Sequence, residues 1–261
     1  MVYRTGSGRS GHHAMKVAAL LEAFAKLPVA DLDTIAPGTS LVLAPHPDDE
    51  SLGMGGFIAS ACADGRAPFV VVVSDGAASH PGSRSWPPTR LAAIRQAETR
   101  EAVAILGLPP ERLLFLELPD TRVPGEGEAL DKAVDRLTDL IKLHAIRQVL
   151  VTWRHDPHCD HEAVWHIGAA LHARDACRVL VYPVWGLTRP LDEDLAETPP
   201  KGWRLPVASY LDTKRAAISA HASQLGHVVT DDPGGFVLPE TLLAKMLQPY
   251  EIILDPFGDV A

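Results

Sequence analysis

The sequence predicts an α/β fold in which a mainly parallel sheet carries helices on both faces. Three observations lead there. Short, nearly continuous apolar runs rich in Val, Ile and Leu recur along the chain, as strands covered on both faces require. Segments with apolar residues at helical spacing separate those runs. Two of the runs end in tight clusters of His and Asp, and in open α/β sheets the carboxyl edge of the strands is where ligands bind. The chain has 261 residues, 46% of them hydrophobic, enough for one large core, and no repeat or linker divides it. The expected organisation is a loose tail over 1–13 and a single domain over 14–261.

In chain order, 14–26 reads as an amphipathic helix carrying Leu20, Leu21 and Phe24. A strand follows at about 40–45. A helix over 52–63 presents Leu52, Met54, Phe57, Ile58 and Ala61, has Gly65 as its C-terminal cap, and has early glycines suited to close backbone approach. A strand over 69–73 ends in Ser74-Asp75-Gly76, first of all a turn signal, and 81–88 is a Gly-, Ser- and Pro-rich loop. A long helix over 90–106 stops at Gly107, and a strand over 113–116 leads to Pro119-Asp120. Next come a helix over 130–144, a strand over 148–152, a helix over 162–172 and a strand over 178–181. An irregular Pro-rich connection spans 185–206. Helices over 210–225 and 239–247, with a turn at 230–235 between them, precede a last strand over 251–254.

Composition excludes several functions. Acidic residues number 33 against 24 basic ones, a net charge of −9, which disfavours nucleic acid and anionic membrane surfaces. No apolar run is long enough to span a membrane, and residues 1–13 lack a secretory h-region. Three cysteines make no disulfide framework, so the expected location is cytoplasmic.

The chemistry lies in two clusters. His46, Asp48, Asp49 and Glu50 follow the first strand, and His155, Asp156, His158, Asp160 and His161 follow the strand over 148–152. If those strands are neighbours, both clusters share one sheet edge. Two histidines and a carboxylate with open positions form a catalytic zinc site, and Fe(II) uses a similar triad. The ligand assignment is His46, Asp49 and His161, with Asp48 free to take a proton and His158 across the substrate. A lone His-Pro-Asp is more often a turn whose Asp caps a helix, but burying so many ionisable groups without an ion would be costly. Glu50 reads as structural, His155 and Asp156 as ligand-orienting or helix-capping, and His221 as a surface histidine.

The string APHPDDESLGMGG resembles the opening motif of the LmbE/PIG-L family of zinc-dependent N-acetyl-sugar deacetylases, and HDPHCDH resembles the family's second motif. Arg95 and Glu98 fit its Arg-x-x-Glu helix, Asp120 its loop aspartate, and Lys214 with His221-Ala-Ser-Gln224 a late segment. One departure is Cys159, where the family usually has proline. The resemblance implies a Rossmann-like fold, with zinc on His46, Asp49 and His161, Asp48 as general base and His158 as electrostatic or general-acid partner. It implies substrate contacts by Arg95 and Asp120. The implied reaction uses zinc-activated water to remove an acetyl or other acyl group from an N-acetylated amino sugar such as N-acetylglucosamine, or from a glycoconjugate. Fe2+ or another divalent metal and a homo-oligomer are left open. The rivals are a phosphoester hydrolase on the same frame and a non-catalytic metal- or sugar-binding domain. Asp48 argues against the second, because a pure binding site needs no base. Residues 77–88 and 183–206 are expected to set the substrate.

Overall fold

Residues 14–258 are described by the computed structural model; the tail predicted over 1–13 lies outside them. The chain opens with β1 (Ala14–Lys16), α1 (Val17–Ala25), α2 (Leu32–Ile35) and β2 (Ser40–Ala44). α3 (Asp49–Ala63), β3 (Phe69–Ser74), α4 (Pro88–Ile105) and β4 (Leu113–Leu118) follow. Then come α5 (Gly127–Leu143), β5 (Gln148–Thr152), α6 (Cys159–Ala173) and β6 (Arg178–Tyr182). The last third holds β7 (Asp194–Ala196), β8 (Gly202–Pro206), α7 (Leu211–Ala220), α8 (Glu240–Met246) and β9 (Tyr250–Leu254).

Seven strands form one sheet in the order β4-β3-β2-β5-β6-β9-β8. From β4 to β6 all pairings are parallel, whereas β9 runs antiparallel to both β6 and β8. The fold is therefore the expected α/β class, with an antiparallel margin that the sequence reading did not foresee. β2, β3 and β5 are buried along their whole length, and alternate residues feed opposite faces. Val42, Val70, Leu150 and Leu180 join α3, α4, α7 and α8 in one core. Leu41, Leu43, Val71, Val149 and Val179 join α1, α5 and α6 in the other.

The chain leaves β2 toward β3 on one side and later returns to place β5 on the other. Loops at the carboxyl ends of β2 and β5 thus diverge around a crevice, the switch point at which such sheets bind ligands.

Several boundaries moved for identifiable reasons. Residues 14–16 are not helical but form β1, which pairs with β7 in a separate two-stranded ribbon. α3 starts at Asp49 rather than 52, because the amides of Ser51 and Leu52 already donate to Asp48 O (3.0 and 2.9 Å). The Pro-rich 185–206 segment contains β7 and β8; β8 gains its ladder from β9, far away in sequence, and Arg204 adds a single bridge to Val29.

The glycines of α3 do allow a close approach. A Cβ on Gly53 would sit 2.4 Å from the Tyr182 ring. That ring is fully buried and anchored by its hydroxyl, which donates to Leu43 O at 2.7 Å. Gly53→Ala should therefore lower stability by about 1–3 kcal/mol, measured by urea unfolding. A midpoint equal to the wild type would mean the helix shifts without cost.

Candidate active site

The turn between β2 and α3 is held in an unusual shape. Asp48 has φ 140°, a conformation rare for L residues and found at functional sites. It is clamped from both sides. Its amide donates to Glu50 Oε2 at 3.1 Å, while Glu50 Oε1 is bound by Ser51 Oγ (2.7 Å) and paired with His221 Nε2 (3.0 Å). On the other side, Arg95 Nη2 donates to Pro47 O (2.7 Å) and reaches Asp48 Oδ2 (3.3 Å), and Nη1 donates to Gly76 O (2.8 Å). Glu50 is thus structural, as expected. His221, expected at the surface, is fully buried at the end of α7. Arg95 is buried beside Asp48, and it lines the cavity described below.

The two sequence clusters meet. Asp49 Oδ2 lies 3.3 Å from His46 Nδ1 and 3.1 Å from His161 Nε2. The remaining nitrogen of each histidine faces another carboxylate. His46 Nε2 is 3.1 Å from Asp160 and 3.2 Å from Asp120. His161 Nδ1 is 3.0 Å from Asp156. These outer acids are themselves fixed by the backbone: Asp160 accepts from Thr121 and Val123, and Asp156 from Val184, Trp185 and Gly186. Sequence reading left Asp156 between orienting and capping, and assigned Asp160 nothing. Both back a histidine, and their positions five and one residues before His161 were the available signal.

A metal fits this arrangement on three grounds. Ligands about 2.0–2.1 Å from a tetrahedral ion lie about 3.3 Å from one another, the spacing that Asp49 Oδ2 keeps to both histidines. His161 Nε2 is buried and meets Asp49 Oδ2 at 3.1 Å without hydrogen-bond geometry, while its Nδ1 is held by Asp156; a histidine held by a carboxylate on one nitrogen is a typical metal ligand on the other. The acids also demand positive charge. Burial opposes protonation of His161, yet Asp49 and Asp156 push its pKa up to about 9. Burial likewise opposes it at His46, which Asp120, Asp160 and Asp49 hold well above the usual range. Among the described residues, the donor groups close enough together to share one ion are His46, His158 and His161; His158, Cys159 and Asp160; and His46, Asp120 and Asp160, and Asp49 is in none of them.

The paired aspartates differ in electrostatics. Burial would raise Asp49, but His161 and His46 hold it far below the usual carboxylate range. Burial pushes Asp48 up to about 7, against the opposing pull of Arg95. His158 is the N-cap of α6; its Nδ1 accepts from the amide of Asp160 at 3.2 Å, which leaves the ring proton on Nε2. Burial and the neighbouring His46 and His161 lower its pKa, favouring the neutral ring. Cys159 is exposed, with its sulfur 3.7 Å from Thr121 O.

A cavity of about 200 Å³ opens over Asp48, Asp49, His46 and His158. Trp185 and Phe236, in edge contact at 5.7 Å, form an apolar wall. From 77–88 the cavity is reached by Ala78 and Ser79, and from 183–206 by Trp185. Residues 79–85 are clasped to 231–236. Asp231 accepts from Ser83, Arg84 and Ser85, Asp232 from Gly82, and the Phe236 amide donates to Ser79 O.

The switch-point crevice, the two histidines backed by carboxylates and the differing aspartates form a candidate metal-dependent active site in an α/β fold. Residues 41–172, about half of the chain, match the family described as PIG-L: GlcNAc-PI de-N-acetylase, and the chain belongs to that family, whose deacetylases are metal-dependent. Solved structures share the fold. N,N'-diacetylchitobiose deacetylase from Pyrococcus horikoshii is 19% identical at a TM-score of 0.60, over 87% of this chain and 79% of that one. A conserved protein from Thermus thermophilus is 25% identical at 0.61, over 85% and 96%. Teicoplanin deacetylase Orf2, in a zinc-inhibited form, is 17% identical at 0.62, over 83% and 97%. A comparison with curated proteins finds no match. Among the described residues no helix is long and apolar enough to cross a membrane.

Proposed function

We propose that residues 14–261 act as one domain that removes the acetyl or other acyl group from the nitrogen of an N-acetylated amino sugar or its conjugate. The observation that carries this reading is Asp48: a buried carboxylate that lines the cavity beside His46 and Asp49 and pairs with Arg95. A pure binding site has no use for such a group. His46, Asp49 and His161 would hold the metal, zinc in the first instance. When bound there, the metal supplies Lewis-acid activation of a water at neutral pH. Asp48 takes a proton from the attacking water. His158 Nε2–H donates to the carbonyl oxygen as charge develops on it. Asp48 then returns the proton to the departing nitrogen, giving a carboxylate and a free amine. Arg95 holds Asp48 in place, and Asp120 faces both His46 and the cavity. The phosphoester rival is disfavoured because, among the described residues, Arg95 is the only Arg or Lys lining the cavity, and both its Nη atoms are already bonded, to Pro47, Gly76 and Asp48.

The test joins metal analysis to an amine-release assay over a panel of N-acetylated amino sugars and glycoconjugates. The expected result is release from at least one of them, abolished by chelation and restored by zinc. No release from any substrate by fully metallated protein would overturn the assignment.

A further inference from the structure

The short turn after α7 carries a polar chain that ends in the cavity. Glu98, buried on α4, accepts from the Ser223 amide (2.7 Å) and from Ser223 Oγ (2.6 Å). Ser223 Oγ has one hydrogen, and it donates that hydrogen to Glu98 Oε2. The Gln224 side-chain atom 2.9 Å from Ser223 Oγ must then be a donor, Nε2. This fixes which way the amide is turned, a choice that would otherwise be ambiguous. Gln224 Oε1 is left over. It is fully buried, has no hydrogen-bond partner, and belongs to a residue lining the cavity.

Arg95 Nε is the other buried polar atom of a cavity-lining residue without a hydrogen-bond partner. One orphan accepts and the other donates. A substrate group that meets Gln224 Oε1 must donate, as a hydroxyl does and a carbonyl does not. An unpaired acceptor in so enclosed a place is costly unless a ligand meets it.

We propose that Gln224 is a specificity-determining residue whose Oε1 accepts a hydrogen bond from a substrate hydroxyl, held in that orientation by Ser223 and Glu98. It deepens the deacetylase reading by making a hydroxyl close to the reacting amide a requirement for tight binding.

The test uses calorimetry on metallated wild type, Gln224→Met and Gln224→Glu, with N-acetylglucosamine and its 3-, 4- and 6-deoxy analogues. Gln224→Met, similar in size but without the acceptor, should weaken N-acetylglucosamine roughly tenfold. The same loss should arise in wild type on removing one particular hydroxyl, and the Met variant should bind that analogue no worse than wild type does. Gln224→Glu keeps an acceptor but has no donor for Ser223 Oγ, so it should lose the discrimination as well; a melting temperature of Gln224→Met close to that of wild type separates lost recognition from a disturbed fold. Binding of all four sugars by Gln224→Met within twofold of wild type would overturn the proposal; so would equal weakening of all four, or no binding by wild type. Binding is scored apart from turnover. Selective binding without amine release would leave this inference standing and remove the deacetylase reading, and release with unselective binding would do the reverse.

Discussion

Asp48→Asn abolishes turnover, by at least the 10²–10⁴-fold that a positioned general base contributes, and leaves the metal content unchanged. The reason is the division of labour in the aspartate pair. Asp49 lies against both His46 and His161, whereas Asp48 pairs with Arg95. Elemental analysis alongside the rate measurement checks both halves. Metal loss in this variant would exchange the two aspartate roles. The pH profile follows from the same group. Asp48 must be ionised to accept a proton, and burial pushes it up to about 7 without metal. A bound cation favours the ionised form, so kcat/KM should fall on the acid side with a midpoint at or below about 7. Stability moves the opposite way. A carboxylate whose pKa rises from 3.8 unfolded to about 7 folded weakens the fold as pH climbs through that interval. The metal-free Asn variant should therefore melt no lower than metal-free wild type at pH 8, and the difference should shrink toward pH 4.

His161→Ala loses both metal and activity. The ring is fully buried, its Nδ1 is held by Asp156, and its Nε2 faces Asp49 Oδ2 at 3.1 Å. Removing it deletes a ligand and also leaves the buried Asp156 carboxylate facing a void, so a drop in melting temperature should accompany the metal loss. Plasma emission spectrometry after gel filtration should find the metal stoichiometry collapsed. Full metal retention in His161→Ala, with loss in His158→Ala, would move the ligand role to His158, the other candidate in this histidine group.

Much of this was readable from the sequence, for physical reasons. β2, β3, β5 and β6 are apolar runs covered on both faces, so their local composition reports their environment directly. The two polar clusters lie beside one another because β2 and β5 pair, and adjacency of their strands was the one assumption needed. Less legible were features set by distant partners. Asp49, Glu50 and Ser51 look like loop residues, yet they form the buried first turn of α3 because His161 and His221 receive their side chains. β8 was invisible because its ladder comes from β9. His221 looked like an ordinary exposed histidine, since only the return of α7 across α3 brings it to Glu50. The orientation of the Gln224 amide depends on Glu98, more than a hundred residues earlier.

The outer strand β4 bears on how the molecule behaves in company. Leu113–Leu118 reads LLFLEL, is only partly covered, and bonds to β3 on one side alone. Such a margin invites a neighbouring chain to extend the sheet. Here the register slips between Val72 and Ser74, and Glu117 takes a φ of 56°. The ladder is bent out of line near its end and a charge stands on the margin, two devices that discourage edge-to-edge stacking. The irregularity lies just before the loop that carries Asp120 to His46. The irregularity beside the loop that brings Asp120 to His46 therefore also guards the protein against polymerising through its own sheet.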